Sequence, residues 1–288
     1  TGTLSTVNVP KFDGIDRYKG DWYMTGRWPH HSVDFTGKTV GIIGTGSSAV
    51  QAIPVIAEQA KHLTVFQRTP NYSIPANNRP LESEEANRTK ADYSDLRSRA
   101  RNNRGGIGRM RVGTQNALSV SDSVRTAEYQ QRWDNEGTGF AAAYLDIGTD
   151  EEANETAAEF VRTKIRETVS DPKTADLLSP TNAIACKRLC MDTNYYETYN
   201  RDNVSLIDIN ETPILGLVED GIQTSAGVYK VDVVIFAIGF DAMTGALLAI
   251  DIRGKQGISL RDKWVYGPRA YLGLSSEGFP NLFMITGP

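Results

Sequence analysis

The sequence predicts an α/β protein whose parallel-sheet domain is interrupted by a mostly helical insertion and then completed. Three observations carry this. Lys38 to Ile43 is a β-branched run that ends in glycine and passes at Ser48 into helical spacing; residues 81–185 lose the strand signature; and buried-strand patterns return from Val204 to Ile238.

Composition bounds the answer. With 288 residues, 40% hydrophobic and 23% charged, the chain can bury sizeable cores in one or two domains. A formal net charge of -4 argues against a nucleic-acid surface. No apolar run approaches the ~20 residues that cross a bilayer, and the start lacks the order of a signal peptide, so no membrane partner is expected. Cys186 and Cys190 are too few for a disulfide scaffold, and the expected location is a reducing cytoplasm. The sequence opens without Met and stops at Gly287-Pro288 after the strand-like Asn281-Leu-Phe-Met-Ile-Thr-Gly, as expected of a piece of a larger protein.

In chain order, residues 1–37 are rich in Gly, Pro and aromatics and read as an extended connector. His30-His31 lacks a third ligand at recognisable spacing, so no metal site is expected. Residues 38–80 carry the first part of the sheet domain, with strands at 38–43 and 62–67 and a proline-broken loop, 69–80, bending round whatever the glycine turn binds. In the insertion, residues 81–185, Asp150 is placed to cap a helix whose apolar face is Ala153, Ala157, Phe160, Val161, Ile165 and Val169, ending before Asp171-Pro172. Arg97, Arg99, Arg101, Arg104, Arg109 and Arg111 read as a mobile active-site loop or a solvated face. Residues 186–242 complete the sheet domain: strands at 204–209 and 214–218, a Glu219-Asp220-Gly221 turn into Ile222-Gln-Thr-Ser, and a buried strand at 231–238. Residues 243–288 suggest short strands and glycine turns that return to a neighbouring domain.

The strand, turn and helix around Gly44-Thr45-Gly46-Ser47-Ser48-Ala49 fit a Rossmann-like dinucleotide site. Gly44 permits the turn, Gly46 lets backbone approach a pyrophosphate, and Ala49 is small enough for helix to pack on strand. A tight βα turn in another α/β protein would share these glycines. The second strand ends in Gln67-Arg68-Thr69 where an NAD site places a carboxylate, so Arg68 points to a 2′-phosphate and NADP(H). Taken alone, Arg68 is also compatible with a solvated strand-end cation, and Lys187-Arg188 with a surface dibasic pair.

Thr1-Gly-Thr-Leu-Ser, Tyr18 to Pro29, the Gly44 turn, Phe66-Gln-Arg-Thr-Pro-Asn-Tyr, Lys187-Arg188, Tyr195-Tyr-Glu-Thr-Tyr-Asn-Arg-Asp-Asn, Ala237-Ile-Gly-Phe-Asp-Ala and Phe279-Pro-Asn-Leu-Phe-Met stand in one order. In this the chain resembles the flavin-dependent Baeyer–Villiger monooxygenases, near their cyclohexanone and steroid monooxygenase branch. The resemblance covers nearly the whole chain outside the helical part. It implies FAD and NADPH as cofactors, O2 as oxidant, and a ketone converted to an ester or lactone. It also assigns roles. Gly44, Thr45, Gly46, Ser47, Ser48 and Gln51 match the pyrophosphate-binding turn and its helix, and Arg68, Thr69 and Lys187 match the group recognising the 2′-phosphate. Arg188 matches the catalytic arginine beside the flavin peroxide and the nicotinamide, where a permanent cation is needed. Gly239, Phe240 and Asp241 match a segment where the two cofactor domains meet.

Two departures qualify the match. The family fingerprint Phe-x-Gly-x-x-x-His-x-x-x-Trp is met with Tyr18 for Phe and Met24 for His, while Gly20, Trp28 and Pro29 remain. Met24 can neither donate hydrogen bonds nor carry charge as histidine does, so coupling of NADPH oxidation to oxygen insertion is expected to differ. The family's FAD-binding glycine turn lies upstream of the matched region, so this chain reads as the NADP-binding and helical portion, with its end segments belonging to the FAD domain. The competing readings are an N- or S-oxidising flavin monooxygenase and a non-catalytic NADP-binding module.

Overall fold

The computed structural model describes residues 2, 4–103 and 105–288. Thr1 and Thr3 of the opening segment and Arg104 of the arginine run lie outside the described residues. In chain order the first elements are β1 (Asp21–Met24), β2 (Thr39–Ile43), α1 (Ser47–Gln59), β3 (His62–Gln67) and β4 (Ser73–Pro75). The insertion supplies α2 (Ser83–Ala91), α3 (Tyr93–Asn102), α4 (Asp122–Asn135), α5 (Glu151–Thr168) and α6 (Pro172–Leu178). Next come β5 (Cys190–Asp192), α7 (Tyr195–Thr198), β6 (Val204–Asp208), β7 (Ile214–Val218), β8 (Gly221–Thr224), β9 (Gly227–Lys230) and β10 (Val233–Phe236). Two short helices, α8 (Gly245–Leu248) and α9 (Leu260–Lys263), follow.

Five strands form one parallel sheet in the order β1-β10-β2-β3-β6. Its central strands are buried on both faces, which is why they read as continuous apolar runs rather than as alternation. The connector expected over 1–37 is not strandless. Its Asp21–Met24 pairs with Val233–Phe236 and makes the sheet edge, a position that demands little burial and so leaves little pattern in sequence. Strands β7, β8 and β9 form a separate antiparallel sheet, of which β9 was not expected.

The insertion is anchored as its sequence suggests. Asp150 accepts a 2.9 Å hydrogen bond from the Ala153 N–H at the start of α5, and Ala153, Ala157, Val161 and Ile165 are buried. Asp171 caps α6 in the same way, with Pro172 in its first turn. Tyr129, Phe140 and Phe160 stack at centroid separations of 5.3 to 5.7 Å. These rings belong to the same apolar cluster as Val40, Ile42 and Ile53 of the sheet domain, so insertion and sheet share a core.

The described arginines of the run lie exposed, on a solvated face. On α3, Arg97 lies over the Tyr93 ring and Arg99 pairs with Asp92 and Asp95, while Arg111 pairs with Glu128 and Glu136. In residues 243–288 the expected strands do not form among the described residues; α8, α9 and isolated bridges stand there instead. Leu260, Trp264, Phe279 and Met284 make a small core. The strand-like 281–287 keeps its alternation, with Met284 buried and Phe283 and Ile285 exposed, but its backbone bonds to residues 273 and 274, from the Met284 and Gly287 N–H groups, do not extend into a ladder, so it is not a strand.

Candidate functional site

The site is built on the turn between β2 and α1. Gly44 has φ +108°, and a Cβ there would lie 2.5 Å from the Ala237 carbonyl oxygen, so only glycine fits where β2 passes β10. Gly46 is different: its backbone is extended, and a Cβ would meet nothing within 4 Å. Space is therefore open on the outer side of the turn. Gly46 caps α1 with no side-chain hydrogen bond and no acidic residue in the first turn, so the helix offers unpartnered N–H groups and an uncompensated positive dipole end. That fits a phosphate.

Two clefts flank Gly46. One, of about 380 Å³, is lined by Gly44, Thr45, Arg68, Thr69, Asn71 and Lys187, and also by Phe12, Ile209 and Gly239. The other, of about 360 Å³, is lined by Ser47, Ser48, Gln51, Arg188, Gly239 and Phe240, with Thr138 reaching in from the insertion. Gly46, Ala237 and Gly239 border both. Among the described residues no carboxylate lines either cleft, whereas Arg68 and Lys187 line one and Arg188 the other. The electrostatics favour an elongated anion straddling the turn, its most charged end at Arg68 and Lys187.

Twelve of the thirteen residues singled out from sequence border these clefts. Asp241 does not: its carboxyl group packs against Gly245 at the start of α8, and its N–H donates to the Thr6 carbonyl at 2.9 Å. Gly239 and Phe240 are held by residues 7 and 8, through a Val7 bridge to Phe240 and a 3.1 Å bond from the Asn8 N–H to the Gly239 carbonyl. Phe240 also packs on Gly26, where a Cβ would come 2.9 Å from its ring, so the fingerprint segment supports the cleft from behind. Met24 ends β1 and packs against the core formed by Ile43, Phe66 and Phe236. Tyr18 is buried and donates to the Val231 carbonyl at 2.8 Å, with burial pushing its phenol well above the usual range.

Sequence reasoning missed the residues that hold the turn. Asn71 Nδ2 donates to the Thr45 carbonyl and Thr45 Oγ1 donates to the Thr69 carbonyl, so the loop after β3 clasps the turn. The signal available was Asn71 itself, a turn residue after a proline. On the other side β5 buttresses α1, with Cys190 Sγ 3.4 Å from Ser47 Oγ and Gln51 Nε2 donating to the Met191 carbonyl. His30 and His31 lie exposed, and no group of three or more metal-ligating side chains stands together among the described residues.

Comparison with known proteins shows what the chain resembles as a whole. No protein-family model matches the chain. It is 43% identical to a Baeyer-Villiger monooxygenase of Pseudooceanicola batsensis and 41% identical to cyclohexanone 1,2-monooxygenase of Acinetobacter sp, in each case over 100% of this chain and 53% of the relative. A solved structure of oxidized steroid monooxygenase bound to NADP superposes with a TM-score of 0.95 at 51% identity, over 100% of this chain and 55% of that one. Over its whole length the chain is similar to Baeyer–Villiger monooxygenases. It spans about half the length of the curated relatives it matches. A further relative, 39% identical over 100% of this chain and 53% of its own length, is phenazine N-monooxygenase PhzNO1 of Lysobacter antibioticus. No helix among the described residues is long and apolar enough to cross a membrane.

Proposed function

We propose that this chain is the NADP(H)-binding and helical portion of an FAD-dependent monooxygenase that inserts one oxygen atom of O2 beside a ketone carbonyl. The overall balance is ketone, O2, NADPH and a proton giving ester or lactone, water and NADP+. The observation that carries the reading is the pair of carboxylate-free clefts joined at Gly46, one ending in Arg68 and Lys187 and the other in Arg188. The residues present fit the nucleotide: first-turn N–H groups of α1 for the pyrophosphate, Arg68 and Lys187 for the 2′-phosphate, with Thr69 beside them.

Bound flavin would supply the reduced centre at which O2 is activated. What this chain contributes is placement. Ser47, Ser48 and Gln51 orient the nicotinamide half, and Phe240 closes the cleft wall. The Arg188 guanidinium stabilises negative charge as it develops beside it, in a cleft where no carboxylate among the described residues competes. FAD-domain segments of the same parent complete the site, and a cytoplasmic location fits the NADPH requirement and the unbridged Cys186 and Cys190.

A second reading, oxygen transfer to nitrogen, is favoured by the similarity to phenazine N-monooxygenase. Product analysis separates the two. The full-length flavoprotein, supplied with NADPH and equal concentrations of a cyclic ketone, a sulfide and an aromatic N-heterocycle, is expected to form the lactone at the highest kcat/KM. N-oxide formation without lactone would support the second reading. A protein that binds NADPH but retains no flavin would instead be a binding module.

A further inference from the structure

We infer that Thr138, carried by the helical insertion, is a binding residue for the nicotinamide half of NADP(H). This rests on the dinucleotide reading above and extends it to a part of the chain that the glycine motif does not touch. Thr138 lines the same cleft as Ser47, Ser48, Gln51 and Arg188, whereas the cleft holding Arg68 and Lys187 is lined by no described residue of the insertion.

The approach of Thr138 is built into the fold. Thr138 is exposed between two buried glycines. Gly137 has φ +52°, and a Cβ there would come 2.8 Å from Met191 Cε, so the loop seats directly on β5, close to Arg188 in sequence. Behind the loop, Arg132 is fully buried and its Nη1 donates to the carbonyls of Gly139 at 2.8 Å and Arg111 at 2.6 Å. Glu128 and Glu136 neutralise it, through contacts of 2.7 Å to Nε and 3.1 Å to Nη1. A buried guanidinium costs stability unless it is paired and hydrogen-bonded, and here part of its donor capacity pins the backbone that presents Thr138.

The chemistry of the side chain fits the ligand end it faces. The helix terminus and Arg188 supply N–H donors and positive charge, which suit phosphate oxygens. A carboxamide and a ribose diol carry donors as well as acceptors, and a hydroxyl can meet either. Thr138 supplies that hydroxyl from the insertion's side of the cleft lining, so the insertion reads the nicotinamide half while Arg68 and Lys187 read the adenosine half.

The test is calorimetric titration of the full-length protein with NADPH and with adenosine 2′,5′-bisphosphate, which carries the adenosine half alone. Thr138→Val, which removes the hydroxyl at constant size, is expected to weaken NADPH about fivefold and leave the bisphosphate unchanged, the loss of one hydrogen bond. Thr138→Trp, which fills the cleft, is expected to weaken NADPH by more than about tenfold with the bisphosphate again unchanged. Unchanged NADPH affinity in Thr138→Val and Thr138→Trp overturns the inference while the dinucleotide reading stands. Where Thr138→Trp loses both ligands, the loop has been displaced and Thr138→Val decides by the same criterion. If the unsubstituted protein binds neither ligand, the dinucleotide reading fails and the inference falls with it.

Discussion

Asn71 holds Thr45: its side-chain amide donates a 2.8 Å hydrogen bond to the Thr45 carbonyl and ties the loop after β3 to the glycine turn. The Thr45 hydroxyl returns a 3.0 Å bond to the Thr69 carbonyl, so the turn and the loop bearing Arg68 move as one piece. Preorganisation of this kind removes part of the ordering cost of binding. Asn71→Ala is therefore expected to lower NADPH affinity by about five- to tenfold and thermal stability by only about 1 kcal/mol, the scale of one hydrogen bond. Titration calorimetry and thermal melts of the same variant check the two effects together.

The two glycines of the turn are expected to respond differently to the same change. At Gly44 an added methyl meets both a left-handed φ and the Ala237 carbonyl, so Gly44→Ala should destabilise the fold by about 3 kcal/mol. At Gly46 the methyl enters open space at ordinary backbone angles, so Gly46→Ala should keep its melting temperature and lose NADPH affinity. Equal melting temperatures for the two variants would contradict the assignment.

Asp192 gives a pH-dependent test. It is buried on β5; that burial raises its pKa, against hydrogen bonds from the Ser73 hydroxyl at 2.5 Å and the Tyr195 N–H at 3.0 Å that lower it. A carboxyl group whose folded pKa is raised holds its proton longer in the native state, so its contribution to stability falls as pH rises from the ordinary value through the raised one. The deficit of Asp192→Asn relative to the unsubstituted protein should accordingly be larger at acid pH, below that window, and smaller at neutral pH. Urea unfolding across the window reads the difference, and a deficit that grows with pH would reverse the assignment.

Arg188 separates binding from chemistry. In the full-length flavoprotein, Arg188→Ala is expected to reduce oxygenated product by about a hundredfold or more, as when a preorganised charge partner is removed from an active site. Its NADPH affinity should fall far less, because the proposed 2′-phosphate site at Arg68 and Lys187 is untouched. Arg188→Lys should recover only part of the rate, since an ammonium lacks the planar fork. Steady-state product formation beside calorimetry resolves the two quantities.

Much of this was legible before the fold. The strand, the turn at Gly44 and the helix after it were readable from spacing alone, because all three are local and each leaves a period or a composition. Asp150 announced its helix for the same reason, whereas the short α6 capped by Asp171 was not foreseen. Strand β1 was not legible, since Asp21–Met24 lies at an edge with half its residues exposed and no alternation to read. Thr138 was invisible for another reason: it reaches the cleft through the fold of an insertion whose own pattern reports only its aromatic core. The clasp of Asn71 on Thr45 is a side-chain to backbone contact, which sequence periodicity does not encode.

The most direct test of the account is the affinity of the protein for NADPH against NADH, measured by calorimetry on the unsubstituted chain and on Arg68→Ala and Lys187→Ala. Tighter binding of NADPH by at least about tenfold is expected, with the ratio falling towards unity in both variants, if the two cations that line this cleft take the 2′-phosphate as proposed. Equal affinities in the unsubstituted protein, or a preference that survives both substitutions, would contradict the placement of the 2′-phosphate at Arg68 and Lys187.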